Sequence, residues 1–277
     1  MARIISVVNQ KGGTGKTTSV VNISARLCYM GYSTLIIDME PQANATLYLG
    51  VTPTSLERSM YDVLLKEGVG LKDIIISTKI DKLHIAPAQV SLAKTDINLA
   101  DKPDKQYKLR DNISDVRSDY DYILIDCPPS LSLLPVNALA ASDEVIIPVQ
   151  PKYLSLEGLK QLKDSLAKIK ENLNPSLRIL GILFTMVDMR PRMTRHSIDL
   201  AREYFGKEVF DVVVRICSKF NEAPIAGESI FEYAPKSKGA EDYKKVTDEI
   251  LKRESLFYKR CIFPLIESGN RIKEFLA

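Results

Sequence analysis

Residues 11–18 of the 277-residue chain read Lys-Gly-Gly-Thr-Gly-Lys-Thr-Thr, and a β-branched run from Arg3 to Asn9 leads into them. A strand that ends in a glycine-rich turn and opens into a helix narrows the choice of folds sharply. It starts an α/β sheet and builds a phosphate cradle at the sheet edge. Gly12, Gly13, Thr14 and Gly15 let the backbone curl round phosphates with its N–H groups inward, and the helix N-terminus beginning near Lys16 favours negative charge. Lys16 is placed to reach the β- and γ-phosphates, the Thr17 hydroxyl can ligate Mg²⁺, and Thr18 completes the turn. This segment predicts a nucleoside triphosphate site. Its start departs from the common G-x-x-x-x-G-K-[ST] pattern, because Gln10 stands where a glycine is expected and a second lysine, Lys11, follows it.

Strand and helix signals alternate along the rest of the chain. The first helix is predicted from Lys16 to about Met30, with Gly31 as its stop. Thr34–Asp38 and Tyr122–Asp126 are apolar runs ending in an acid, as buried parallel strands do. Leu83–Ala86, Glu144–Val149, Ile179–Thr185 and Val209–Val214 are further predicted strands. Long helices are expected from Leu156 to about Asn172 and from about Gly239 to Lys252. The alternation implies an α/β fold: a mostly parallel twisted sheet with helices on both faces and ligands at the C-terminal strand edge.

The acids Asp38, Glu40 and Asp126 fall at that edge. A phosphate–Mg²⁺ site needs carboxylates to hold the waters of the metal and to orient an attacking water. The residues around them carry a resemblance. Lys11–Thr18 resembles the deviant Walker A loop of the ParA/MinD family of P-loop ATPases. Ile37–Thr46 is similar to its I-D-x-D-P-Q-x-N-A-T segment, and Asp126-Cys127-Pro128-Pro129-Ser130-Leu131 to its D-x-P-P-S-L switch. Pro148-Val149-Gln150, Leu156–Leu159, Glu222-Ala223-Pro224 and Pro235–Ala240 continue it, so that it spans residues 3–252 in order and is nearest the chromosomal partition branch.

The resemblance implies a slow ATPase using ATP and Mg²⁺, with a sandwich homodimer formed on ATP. In it Lys11 reaches the partner's nucleotide, Glu40 orients the hydrolytic water, and Asp126, with Asp38, holds Mg²⁺ through water beside Thr17. It also implies nonspecific DNA binding through basic residues such as Arg190, Arg192 and Lys219, a ParB-type centromere-binding partner, and a cytoplasmic, nucleoid-associated location. Three departures stand out: Glu40 replaces the usual Asp, Lys152 replaces a common Glu, and Val214-Arg215-Ile216-Cys217 replaces I-P-R-N. No N-K-x-D guanine-reading element follows the later strands, which favours ATP over GTP.

Composition restricts the alternatives. The chain has no stretch of 18 apolar residues, and its four cysteines show no metal spacing. His84 and His196 are the only histidines and lie far apart. The net charge of +3 is carried entirely by residues 252–277, leaving the remainder neutral. Nucleic-acid binding therefore depends on local patches, multiplied by dimerisation. The first strand begins at Arg3, which leaves no room for a preceding helix-turn-helix.

Two regions are expected: a P-loop ATPase domain over residues 1–253 and a C-terminal extension over 254–277. In the extension Tyr258, Cys261, Ile262, Leu265 and Ile266 follow helical spacing, interrupted by Pro264. That stripe supports an alternative reading as a MinD-like, membrane-associated ATPase that positions a division site or protein cargo. The proline weighs against it, and membrane attachment is not expected.

Overall fold

The computed structural model describes residues 1–130, 132–151 and 156–267; the side chains of residue 156 and of residues 254–267 are outside that description. Leu131 of the switch motif, Lys152 and the apolar stripe of the extension therefore lie outside the described residues. Seven strands form one sheet: β1 Arg3–Val7, β2 Thr34–Asp38, β3 Ile76–Ser77, β4 Leu83–Ala86, β5 Tyr122–Asp126, β6 Glu144–Val149 and β7 Arg178–Phe184. Their spatial order is β3-β4-β2-β5-β1-β6-β7. All neighbours are parallel except the edge pair β3–β4. The helices are α1 Lys16–Tyr29, α2 Asn44–Tyr48, α3 Met60–Leu65, α4 Thr95–Asn98, α5 Lys108–Ile113, α6 Leu133–Ala141, α7 Leu156–Asn172, α8 Arg192–Phe205, α9 Lys219–Ala226, α10 Ile230–Tyr233 and α11 Lys238–Glu267.

The period-2 alternation of the strands feeds two cores. Leu35 and Ile37 of β2 and Ile123 and Ile125 of β5 face one side, where they pack with Leu139 of α6, Leu162 of α7 and Ile198 of α8. Ile36 and Leu124 face the other side, against Val20 and Ile23 of α1 and Tyr243, Val246 and Ile250 of α11. Strands buried on both faces must be apolar throughout, which explains the unbroken runs in the sequence.

Two expectations need correction. Val209–Val214 is not a strand: it runs beside β7 with only an isolated bridge, Ile182 to Val209, and a second bridge, Val187 to Arg215, just beyond it. Phe210 N–H donates to Ile182 O and Val214 N–H to Phe184 O, but between them the Glu249 carboxylate of α11 accepts from the Asp211 and Val212 N–H groups, and Val212 is the donor that a continuous ladder to β7 would use. The last helix also does not end near Lys252. Its backbone stays helical through Pro264 to Glu267, because a proline in a helix interior removes one hydrogen bond and need not end the helix.

Arg253 fixes α11 to the sheet end opposite the phosphate loop, donating to the carbonyls of Leu180, Lys207 and Val209. Near its start the same helix is held by Arg215, which donates to both carboxylate oxygens of the buried Asp242. The helix thus runs the length of the sheet.

Candidate active site

Strand order places the loop after β1 between two neighbours. Val7, Asp126 and Asp38 are in register across β1, β5 and β2, so both acids close their strands side by side at the C-terminal edge. The sequence motif around residues 11–18 becomes a turn with Gly13 and Gly15 in the left-handed region, at φ 70° and 81°. That conformation is open to glycine and strained for other residues.

Within the turn, Lys16 Nζ donates to the Lys11 carbonyl at 3.2 Å. Thr17 Oγ1 donates to Asp126 Oδ2 at 2.7 Å. The second carboxylate oxygen, Asp126 Oδ1, is buried and receives no hydrogen bond from the described residues. Asp38 is better satisfied: Oδ2 accepts from Thr46 N–H at 2.9 Å and Thr46 Oγ1 at 2.7 Å, and Oδ1 accepts from Glu40 N–H at 3.0 Å. Thr46 in turn accepts from Ala88 N–H. Asp38 therefore braces the loop that carries Glu40, while Glu40 itself is half-buried and its carboxylate accepts from Gln42 N–H at 3.2 Å.

The electrostatics follow from burial. Burial lifts the Asp38 carboxyl from 3.8 to about 6, against the hydrogen bonds from Thr46 and Glu40. Burial and then the neighbouring Asp38 charge raise Asp126 well above the ordinary carboxylate range, with Thr17 and Lys16 opposing. The Lys16 ammonium is lowered by burial, against the pull of Asp126, Cys127 and Glu40. Two buried acids beside one lysine are short of positive charge, and an oxygen of one of them has no donor. A hard divalent cation held near Thr17 and, through water, Asp126 would supply the missing positive charge. Among the described residues no group of three or more His, Cys, Asp or Glu side chains could hold a metal by itself. A metal at this edge therefore needs oxygens from a ligand or from water, as Mg²⁺ does at phosphates.

The structure brings Lys11, Gly12–Thr18, Asp38, Glu40 and Asp126 to one place. The basic residues lie on neighbouring segments. Val187 N–H donates to Val214 O and Ile216 N–H to Val187 O, which holds the β7–α8 turn beside the approach to α9. Arg190 projects from that turn, paired with Asp188 at 2.7 Å, and holds the Asp188 carboxyl down to about 2. Lys219 opens α9 and pairs with Glu222 at 2.7 Å; Arg192 opens α8 and is exposed. Sequence reasoning assigned no role to Asn9, Gln150 or Thr185, all of which touch the loop. Asn9 Nδ2 donates to Pro148 O, Gln150 Nε2 to Gly13 O and Thr185 Oγ1 to Thr14 O.

Residues 2–179 match a family described as an AAA domain. The chain is 41% identical over 250 residues to the sporulation initiation inhibitor protein Soj of Bacillus subtilis, covering 90% of this chain and 98% of Soj. It is 40% identical over 255 residues to the chromosome partitioning protein ParA of Myxococcus xanthus, covering 92% and 90%. Among solved structures it resembles a cobyrinic acid a,c-diamide synthase from Mycobacterium smegmatis with bound ADP and magnesium. That likeness has a TM-score of 0.79 and 31% identity, and covers 92% of this chain and 96% of the other.

Proposed function

The chain belongs to the ParA/Soj-type partition ATPases of the ParA/MinD family, and from that premise we propose that it is an ATP-dependent dimerising, DNA-binding ATPase that hydrolyses ATP slowly to drive chromosome or plasmid segregation with a ParB-type partner. The observation that carries this reading is the register of Val7, Asp126 and Asp38 beside the Lys11–Thr18 turn, with Asp126 Oδ1 receiving no hydrogen bond from the described residues.

ATP binds with its phosphates in the turn. Lys16 exchanges the Lys11 carbonyl for the β- and γ-phosphates, a favourable exchange because a weakly satisfied buried ammonium gains anionic partners. Thr17 and, through water, Asp126 and Asp38 would hold Mg²⁺, which neutralises charge on the phosphates when bound. Glu40 orients the water that attacks the γ-phosphate; its extra methylene relative to the family's Asp changes its reach and keeps its charge. Lys11 contributes across the dimer to the partner's nucleotide, so that hydrolysis removes what holds the two chains together. Turnover far below the enzyme median of about 10 s⁻¹ suits such a timer.

Arg190, Arg192 and Lys219, doubled in the dimer, contact phosphates of duplex DNA without reading bases. The exposed pairs Arg190–Asp188 and Lys219–Glu222 are worth little in water and yield readily to a phosphate. Residues 1–253 form the ATPase domain and residues 254–277 an appendage to it.

Cosedimentation with DNA and with anionic liposomes, with and without ATP, tests the proposal. The expected result is DNA binding by the ATP form alone, weakening steeply with salt. Recruitment to liposomes without DNA binding, abolished by deleting residues 254–277, would establish the MinD-like alternative instead. Among the described residues no helix is long and apolar enough to cross a membrane.

A further inference from the structure

We infer that Gln150 and Thr185 are positioning residues for the nucleotide: from the ends of β6 and β7 they hold two successive carbonyls of the phosphate loop outward, and so aim the Thr14 and Gly15 N–H groups at the phosphates. The inference rests on the assignment of ATP to this loop.

The argument comes from peptide geometry. In a trans peptide the C=O of one residue and the N–H of the next point in opposite directions. Gln150 Nε2 donates to the Gly13 carbonyl, which turns the Thr14 N–H away from β6. Thr185 Oγ1 donates to the Thr14 carbonyl at 2.7 Å, which turns the Gly15 N–H away from β7. Among the described residues no protein group accepts from either N–H. Both therefore remain as donors on the face where a phosphate sits, forming an anion-binding concavity.

The two gripping side chains are themselves held. Thr185 is 2% exposed and has a second acceptor in the Val149 carbonyl at 3.2 Å, so its hydroxyl stays between two fixed backbone oxygens. Its side chain lies 3.6 Å from where a Cβ on Gly15 would sit, close enough to fix the height of the loop above β7. Met186, the next residue, takes the left-handed conformation at φ 52°, and its sulfur is 3.0 Å from Gln150 Nε2. A non-glycine residue in that region costs roughly 1 kcal/mol or more and persists where its surroundings demand it. Here it turns the chain off β7 directly after Thr185 and brings Met186 against Gln150. Asn9 adds a third grip, donating to Pro148 O at 2.6 Å and accepting from Lys11 N–H at 2.9 Å. The loop is thus gripped at its start and middle by β6 and β7, strands that lie far along the chain.

The test compares wild type with Thr185→Val, Thr185→Ser and Gln150→Leu, using calorimetry with ATP and amide NMR. Thr185→Val keeps the shape and removes the donor, and the expected loss of ATP affinity is about tenfold, the equivalent of one hydrogen bond. Thr185→Ser restores the hydroxyl and should bind within about twofold of wild type. In wild type the Thr14 and Gly15 amide protons shift on adding ATP; in Thr185→Val the Gly15 shift should shrink, and in Gln150→Leu the Thr14 shift. A role in stability alone would lower the melting temperature and leave those residue-specific shifts unchanged, which overturns the inference. Wild-type affinity in both Thr185→Val and Gln150→Leu overturns it too. Failure of wild type to bind ATP is a different outcome, and overturns the nucleotide assignment together with everything resting on it.

Discussion

Replacing Asp126 by Asn should make the nucleotide-free protein more stable at high pH, although it removes a carboxylate that we propose helps to hold Mg²⁺. Asp38 and Asp126 close adjacent strands, and both are fully buried. Burial raises the carboxyl of each, Asp38 from 3.8 to about 6. An acid raised in the folded state contributes stability that is fully present below its unfolded value and is lost as pH rises through its folded value. For Asp38 the window runs from 3.8 to about 6. At about 1.4 kcal/mol per pH unit this corresponds to a loss of about 3 kcal/mol between pH 4 and pH 8. Asp126 acts in the same direction. Asparagine at 126 keeps an oxygen for the Thr17 hydroxyl and puts an uncharged NH₂ in place of Oδ1, which receives no hydrogen bond from the described residues. It also removes the carboxyl that burial and the Asp38 and Glu40 charges push upward. The Asp38 loss stays in both proteins and the Asp126 loss only in wild type, so the variant should exceed wild type at pH 8 and give up that advantage as the pH falls to 4. Urea unfolding at pH 4, 6 and 8 in chelator, without nucleotide, measures the difference. A gain of equal size at pH 4 and pH 8, or none at pH 8, refutes the electrostatic reasoning. Adding ATP and Mg²⁺ should reverse the order, because only wild type keeps the carboxylate.

Lys11→Ala should bind ATP and remain monomeric by light scattering where wild type dimerises on a slowly hydrolysed analogue; a dimer indifferent to the substitution removes Lys11 from the interface. Glu40→Gln should dimerise and bind DNA with ATP while losing nearly all phosphate release, and unchanged hydrolysis would exclude Glu40 as the water-orienting group. Arg190→Ala and Lys219→Ala should each weaken DNA binding equally on all sequences and lower the salt slope by about 1 in a titration across salt concentrations. Gly181→Ala should destabilise by about 2 kcal/mol, since the added methyl would lie 2.5 Å from Phe210 Cε2 and 3.0 Å from an Arg253 nitrogen; thermal unfolding reads it as a fall of several degrees.

The buried strands were legible because a strand apolar on both faces leaves an unbroken run, as in Leu35–Ile37 and Ile123–Ile125. The two-residue β3 carries no such run. Residues 209–214 have the composition of a strand, yet the decision against a ladder is made by Glu249, far along the chain on α11. The same division holds at the candidate site. Lys11–Thr18 is contiguous, so its chemistry is written in one stretch. Asp38, Glu40 and Asp126 were read from strand ends together with a family resemblance. Gln150 and Thr185 act on carbonyls 137 and 171 residues away, and side chain to backbone contacts at that range leave no periodicity and no spacing to read. The pairing of Arg190 and Lys219 with Asp188 and Glu222 is local in sequence, but only side-chain conformation reveals it.

The strand order also bears on how the chain acquires its site during synthesis. β1 is translated first and lies near the middle of the sheet, between β5 and β6. A nascent chain that has not yet exposed residue 126 offers β1 neither neighbour, and one that ends before residue 185 lacks the grip of Thr185 on the loop. Contacts of such sequence separation form late, because closing the intervening chain must come first. The first of the strands to be made is thus among the last to take its working shape, and a truncated product carrying an intact Lys11–Thr18 sequence lacks the Asp126 and Thr185 contacts that complete the loop.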